Sequence, residues 1–484
     1  MKIQFINPTL GGDYSALDIS ICNLATFLNH RTKHEATICD LTFHRKDWQR
    51  HIHRSIIHNK PDIIGISSNT LYMNHIKKIM MFIKENYDLP VILGGYHASI
   101  YGEQTFAIPE VDAICRGDGE FALAKYLDRH EKNQAFKGID GIWAKQNGQI
   151  IRNKTGNFIK DIDSLPLPDW SLWKDLKKYF YFLGMGYFMG TRGCPYKCTN
   201  CDAYPISHHV NGPYYRLRNP EKYVHEIKHQ WDRLGKKYGM RLAQLFDQVF
   251  TLDYKWVKRF CDEYISVGLS EELPFSTFSR FDHLNEEKIK LLSKANCKIL
   301  RVGAEAGNEF IRNKIHGKGV SNNQIYSIMN LGKKYNIGFT VYFMLGGPAE
   351  TKKTIQESIV MAQKIQNHKC RIAFFVYKPF TEEGIELIKK YRGVIDENRW
   401  SKADNITFGA VVRLKDVSPR EVEWYQKKAY LLTFGEKWLQ LVKEKKLTYF
   451  YQMSKYIFKG LRNGMDIKYL VPYFHIYGYD NIIK

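Results

Sequence analysis

The chain has 484 residues, 44% of them apolar and 14% aromatic, which suits large buried cores and does not fit a disordered composition. No run of about 18 apolar residues occurs, which argues against a membrane-spanning helix, and MKIQFINPTLGG lacks the apolar segment and cleavage site of a signal peptide, so a cytoplasmic location is expected. Seventy-two Lys and Arg against 50 Asp and Glu give +22; the excess is mostly Lys spread along the chain without a long basic run, so it favours anionic partners in general and makes a nucleic-acid substrate the less favoured reading.

The first 130 residues alternate strand and helix patterns. KIQFINP (2–8), DIIGISS (62–68), LPVILGG (89–95) and VDAICRGDGE (111–120) are short apolar runs, and helix-like stretches lie at 15–29, 45–58 and 73–87. Such alternation predicts a doubly wound, Rossmann-like parallel sheet with helices on both faces, over residues 1–145. Ligands of these folds bind at the carboxyl ends of strands. Those ends carry Leu10 and Gly11, Ser67, Ser68 and Thr70, Gly94 and Gly95, and Gly117 and Glu120. Glycines and small hydroxyls there let backbone approach a large ligand.

Residues 146–183 read as a linker, with a hairpin at Asn147-Gly148 and two prolines in PLPDW. From 184 to 392 the alternation resumes. Strands are expected at 188–191, 242–248, 274–280, 298–307, 338–348 and 371–379, with helices between them. Six βα units predict a partial (β/α)6 TIM-type barrel, whose active residues gather at the strand carboxyl ends. Residues 393–484 are expected to be helical, basic and aromatic. Ser418 and Glu421 are placed to cap a helix. LTYFYQMSKYIFKGLRNG (447–464) is amphipathic and fits packing against a core, a cover over the active site, or peripheral contact with a membrane.

MGTRGCPYKCTNCDAYP (189–205) places Cys194, Cys198 and Cys201 at spacing C-x3-C-x2-C. A structural zinc site wants four ligands, usually as two pairs, and only His208 or His209 lies near to complete one. The other six cysteines are scattered, most of them within or beside apolar runs, as small core residues are. An iron–sulfur cubane normally takes four thiolates, so three leave one iron open for a small chelating molecule.

This motif, on a loop after the first strand of a βα barrel, resembles the signature of radical S-adenosylmethionine (SAM) enzymes. The resemblance extends through DIDSLPLPDW, LFDQVFTLD, SRFDHLNEEKIKLLSKANC, VGAEAGNE and LGGPAET, and PDIIGISSNT, VILGGYHAS and CRGDGE look like loops of a cobalamin-binding domain. Over residues 1–390 the chain is similar to the cobalamin-binding, class B methyltransferase-like subgroup. Three cofactors are implied: a 4Fe-4S cluster, SAM and cobalamin. By resemblance, Cys194, Cys198 and Cys201 hold the cluster, Glu305 hydrogen-bonds SAM, and Arg280 meets the SAM carboxylate. Gly346 and Gly347 pass close to the adenine, and Asp247 is a lesser polar contact. The N-terminal loops would face cobalamin, without the D-x-H-x-x-G histidine that other cobalamin domains give to cobalt; His97 reads as a rim residue. Asn200 stands where relatives usually have an aromatic residue.

The resemblance implies methylation of an unactivated carbon through methylcobalamin and a 5′-deoxyadenosyl radical. The alternative is a cyclisation, ring contraction or rearrangement without net methyl transfer. A small-molecule, lipid or peptide substrate and an electron donor such as flavodoxin or ferredoxin are the expected partners.

Overall fold

The computed structural model describes residues 1–10, 18–366, 370–443 and 447–465, together with 467 and 470. Two compact units emerge. One is Met1–Tyr179 with Asp202–Arg218 and Phe458–Leu470, and the other is Phe180–Cys201 with Asn219–Ile457.

In the first unit, β1 (Lys2–Asn7), β2 (Glu35–Asp40), β3 (Ile63–Ser67), β4 (Val91–Gly94) and β5 (Ala113–Cys115) run parallel in the order 2-1-3-4-5. Their near-continuous apolar runs follow from being covered on both faces. Ile52 and Ile56 of helix Trp48–Asn59 and Ile76, Ile79, Met80 and Ile83 of helix Met73–Asn86 pack with Ile64, Ile66 and Leu93 of the sheet. Strand order reverses between β1 and β3, the switch point beside which a doubly wound sheet binds ligands. β2 was not among the expected strands: EATICD mixes Glu, Thr and Asp into a short edge segment, which hides the apolar run.

A hairpin of β6 (Ile142–Gln146) and β7 (Gln149–Arg152) extends the sheet antiparallel from β5. The stretch expected as a linker from 146 therefore begins inside the sheet. Further along it, the Tyr179 hydroxyl donates to Asp40 Oδ2 at 2.8 Å, within the same unit.

In the second unit, β8 (Met185–Phe188), β9 (Leu242–Leu245), β10 (Phe275–Ser279), β11 (Cys297–Glu305), β12 (Gly338–Leu345) and β13 (Cys370–Val376) form one parallel six-stranded sheet in sequential order. Helices connect successive strands, the pattern of a partial βα barrel. β8 begins three residues earlier than the sequence suggests. Gly190 ends it, because a β-carbon there would lie 2.4 Å from the Tyr223 ring, and its N–H donates to Asp247 Oδ1 at 2.7 Å.

The C-terminal helices are Pro419–Lys443 and Leu447–Arg462. Ser418 and Glu421 form the expected reciprocal cap. The first helix packs on the last barrel strand through Gln426, whose amide donates to the Phe374 carbonyl at 2.7 Å. The region from 393 is thus divided between the two units rather than set apart as its own domain.

One buried side chain organises the end of β11. Arg312 has no exposed surface, and its guanidinium donates to the carbonyls of Ala304 and Ala306 at 3.1 Å each, of Val320 at 3.0 Å, and to Asn322 Oδ1 at 2.7 Å. Burial lowers its pKa to about 10, so it stays charged. Arg312→Met would leave these carbonyls buried without donors. It is expected to lower stability by about 3 kcal/mol or more, read as a urea-midpoint shift, whereas Arg420→Met stays within about 0.5 kcal/mol.

Candidate active site

The cysteine loop leaves the barrel after β8. None of the nine cysteines forms a disulfide, and Cys194, Cys198 and Cys201 are partly exposed while the other six are buried. The Cys201 N–H donates to the Cys198 carbonyl at 3.1 Å, forming a turn. Thr199, between them, is buried; its hydroxyl donates to the Ile315 carbonyl at 2.6 Å and its own carbonyl accepts from Thr381 at 2.5 Å. Among the described residues no three His, Cys, Asp or Glu groups converge as for a single ion. A cubane instead spreads its thiolates around a larger inorganic body.

Cations flank this loop. Arg280, after β10, donates from Nη1 to Cys198 Sγ at 3.5 Å. Its Nε and Nη2 hold Asp282 at 2.9 and 2.8 Å, and Nη2 also reaches the Lys318 carbonyl at 2.6 Å. The guanidinium lies over the Tyr196 ring, 3.9 Å from its centroid, and the Tyr196 hydroxyl bonds His283. Burial raises the Cys194 thiol pKa, against which Arg280 and Lys318 act. Thiols that need proton loss beside two cations fit a thiolate-bound cluster.

Glu305 ends β11 in an unusual conformation. The pairing with β12 slips between Gly303 and Glu305, and Glu305 has φ +59°. A bulge re-aims the side chain of the bulged strand, and a left-handed non-glycine residue is uncommon enough to mark a built site. The carboxylate pairs with Lys318 Nζ at 2.8 Å. Burial would raise its pKa, but Lys318, with Arg280, outweighs burial and holds the carboxyl below its ordinary range. Gly303 makes room for the pair: a β-carbon there would fall 2.1 Å from Glu305 Oε1 and 3.1 Å from Lys318 Nζ. Lys318 was not anticipated. Its signal is the Gly-Lys-Gly of 317–319, whose two glycines both have φ +69°.

The Gly346-Gly347 turn follows β12. Both N–H groups donate to Glu350 Oε2, at 2.6 and 3.0 Å. Glu350 was also missed. It is buried, its Oε1 has no hydrogen-bond partner, and burial pushes its carboxyl up to about 8 despite the two N–H donors. His316 and Tyr377 border the same turn, close to where a β-carbon on Gly347 would stand. Burial brings His316 down to about 4, so it is neutral at pH 7.

Asp247 has a different place from the one expected. It is fully buried, accepts from Gly190 N–H at 2.7 Å and Tyr223 Oη at 2.9 Å, and burial raises it to about 6. It therefore holds the turn that launches the cysteine loop instead of facing a ligand. Arg280 and Glu305 come together with the cysteine loop, whereas the guanidinium nitrogens of Arg280 already bond Asp282, the Lys318 carbonyl and Cys198 Sγ.

In the first unit, the loops after β3 and β4 interlock. Ser68 Oγ donates to the Gly94 carbonyl at 2.6 Å, and the His97 N–H reaches the Ser68 carbonyl at 3.1 Å. Gly95 has φ +90°, and a β-carbon there would sit 2.6 Å from the Ser68 carbonyl oxygen. Ser68 is buried and its hydroxyl is used within these loops. Ser67, Thr70, Gly94 and Gly117 stay partly exposed at the carboxyl ends. Thr70 Oγ1 meets His97 Nδ1 at 3.1 Å, and burial lowers His97 to about 4. Gly117 lies against Val210, and its N–H donates to Ser99 Oγ at 3.0 Å. Glu120 is buried at the start of helix Glu120–Glu131, and Leu10 packs on the core. Gly11 lies outside the described residues. Hydroxyl and glycine loops at a switch point fit a large polar cofactor such as cobalamin.

Comparison with known proteins agrees with both halves of this picture. Residues 189–362 match the radical SAM superfamily, and residues 6–127 match the B12 binding domain. The chain belongs to the cobalamin-dependent radical SAM enzymes, whose cofactors are a 4Fe-4S cluster, SAM and cobalamin. It is 27% identical over 378 residues to an uncharacterized methyltransferase of Pyrococcus horikoshii, covering 77% of this chain and 78% of that one. It is 26% identical over 362 residues to the anaerobic magnesium-protoporphyrin IX monomethyl ester cyclase of Cereibacter sphaeroides, covering 72% of this chain but 56% of the cyclase. The fold is shared with TsrM, a radical SAM methyltransferase from Kitasatospora setae solved with cobalamin and a [4Fe-4S] cluster. There the TM-score is 0.67 at 17% identity, over 88% of this chain and 81% of TsrM.

Two substitutions test the mouth. Gly303→Ala is expected to displace the Glu305 carboxylate and weaken SAM binding about tenfold or more, close to 1.4 kcal/mol, measured calorimetrically on cluster-loaded protein. Glu350→Gln tests the buried acid. The folded carboxyl keeps its proton to about pH 8, while in the unfolded chain it ionises near 4.5. The unfolded state thus binds fewer protons between these values, and the wild type loses stability as pH rises through that window. The glutamine variant should match wild type near pH 4, exceed it increasingly up to pH 8, and keep a constant margin above, as read from urea midpoints.

Proposed function

We propose that the enzyme methylates an unactivated carbon of a small molecule. The reading is supported by one observation above the others. A single chain carries both a cobalamin domain and a radical SAM barrel, and its similarity to a protein named a methyltransferase spans more than three quarters of each. In such enzymes cobalamin carries the methyl group, and the cluster with SAM supplies a hydrogen-abstracting radical.

The chain's own residues have the following roles in this reading. Cys194, Cys198 and Cys201 give three thiolates to the cluster and leave one coordination position for SAM. Glu305, ionised beside Lys318, accepts hydrogen bonds from SAM. The Gly346-Gly347 turn, fixed by Glu350, borders the adenine. Asp247 sets the entry to the cysteine loop through Gly190. Ser67, Thr70, Gly94 and Gly117 line cobalamin in the first unit. Arg280 holds Cys198 from the side. A second reading, cyclisation or rearrangement without net methyl transfer, is favoured by the 26% identity to a cyclase.

The two readings separate under anaerobic conditions. Cluster-loaded protein is given SAM, hydroxocobalamin and a strong reductant. Methyl transfer predicts S-adenosylhomocysteine in step with methylation of the corrinoid, seen in its absorption spectrum. Cobalamin binding with 5′-deoxyadenosine alone would favour the second reading. Cys198→Ala is expected to reduce both products to the no-enzyme background and to abolish the cluster's visible absorption.

A further inference from the structure

We propose that Arg280 and Lys318 form a two-cation flank that raises the reduction potential of the cluster at the cysteine loop. The inference rests on the assignment of that loop as the cluster site, and it assigns these residues to tuning the cluster.

The geometry carries it. Arg280 cannot turn toward another partner without breaking its own support. Asp282 takes Nε and Nη2, the Lys318 carbonyl takes Nη2 again, and the Tyr196 ring lies against the guanidinium plane. Nη1 is the nitrogen left on Cys198 Sγ. Tyr196 is itself tied to His283, so the stack is held from behind. Lys318 approaches from the other strand end. Gly317 brings its segment so near the loop that a β-carbon would stand 3.3 Å from the Lys197 carbonyl and 4.0 Å from Cys198 Cα. The Lys318 ammonium is partly buried and bonded to Glu305, and it is drawn electrostatically to Cys198.

Reduction adds one negative charge to a cluster. A fixed donor on a ligating sulfur and a nearby cation both favour the more negative state, which moves the potential upward. Each cation is paired with a carboxylate, so the quartet of Arg280, Asp282, Lys318 and Glu305 carries little net charge. It acts through orientation, because Asp282 occupies the nitrogens that do not face Cys198. An open cluster that must be reduced by a cellular donor gains directly from such a shift.

The test is an EPR-monitored redox titration of cluster-loaded protein without SAM, so that contacts to SAM play no part. Wild type, Lys318→Met, Lys318→Arg and Arg280→Gln are compared at equal iron content. The flank predicts lower potentials for Lys318→Met and Arg280→Gln, and a potential near wild type for Lys318→Arg. Full clusters with the wild-type potential in both neutralised variants would overturn it. So would failure of both variants to take up iron where wild type does, since the pair would then be structural. A wild-type protein that takes up no 4Fe-4S cluster would instead sink the site assignment, and that outcome is read before any variant is compared.

Discussion

The barrel mouth depends on a charge with no access to water. Arg312 is a long cation buried among carbonyl groups, and such a group is tolerable only when nearly every N–H finds an acceptor. Here the acceptors are Ala304, Ala306 and Val320 with the Asn322 side chain. Those positions bracket the segment from Glu305 to Lys318. By gathering them the guanidinium fixes where β11 ends, where the bulge lies, and where the chain returns toward the cysteine loop. Glu305, His316, Gly317 and Lys318 all fall inside the bracket. The energetic centre of the site is therefore a residue that need not touch a cofactor.

Close backbone approach is the second constraint, and it recurs in both units. Gly95 meets Ser68, Gly303 meets the Glu305–Lys318 pair, and Gly317 meets the cysteine loop. Each place joins two loops at strand carboxyl ends with no room for a side chain. A β-carbon would push apart surfaces that must stay in register for a ligand. The left-handed backbone at Gly95 and Gly317 adds a conformational reason to the steric one.

The parallel sheets were readable because buried strands leave short apolar runs at regular intervals, and the three cysteines because their spacing is local. What escaped was set by tertiary partners. β2 escaped because an edge strand can carry Glu, Thr and Asp without an interrupted core. Lys318 and Glu350 escaped because nothing in their neighbours in sequence announces the partners they meet: Glu305 across 13 residues, and a turn whose N–H groups point inward. Asp247 and Arg280 were visible as polar residues after strands, but sequence position does not say which way a carboxylate or guanidinium is already engaged. Asp247 proves to hold Gly190 and Tyr223, and Arg280 to hold Asp282 and Cys198.

The mouth also separates a partly buried carboxyl from a buried one by environment. Glu305 ends a barrel strand and Glu350 follows one, and desolvation pushes both carboxyls toward the neutral form. Lys318, with Arg280, keeps the first ionised. The second has only two backbone N–H groups, on one of its oxygens, so desolvation wins and it holds its proton. One carboxylate is thereby ionised and able to accept hydrogen bonds from a polar ligand, while the other accepts from the Gly346-Gly347 turn as a neutral acid. Opposite protonation of two similar side chains is thereby set by which one has a cation beside it.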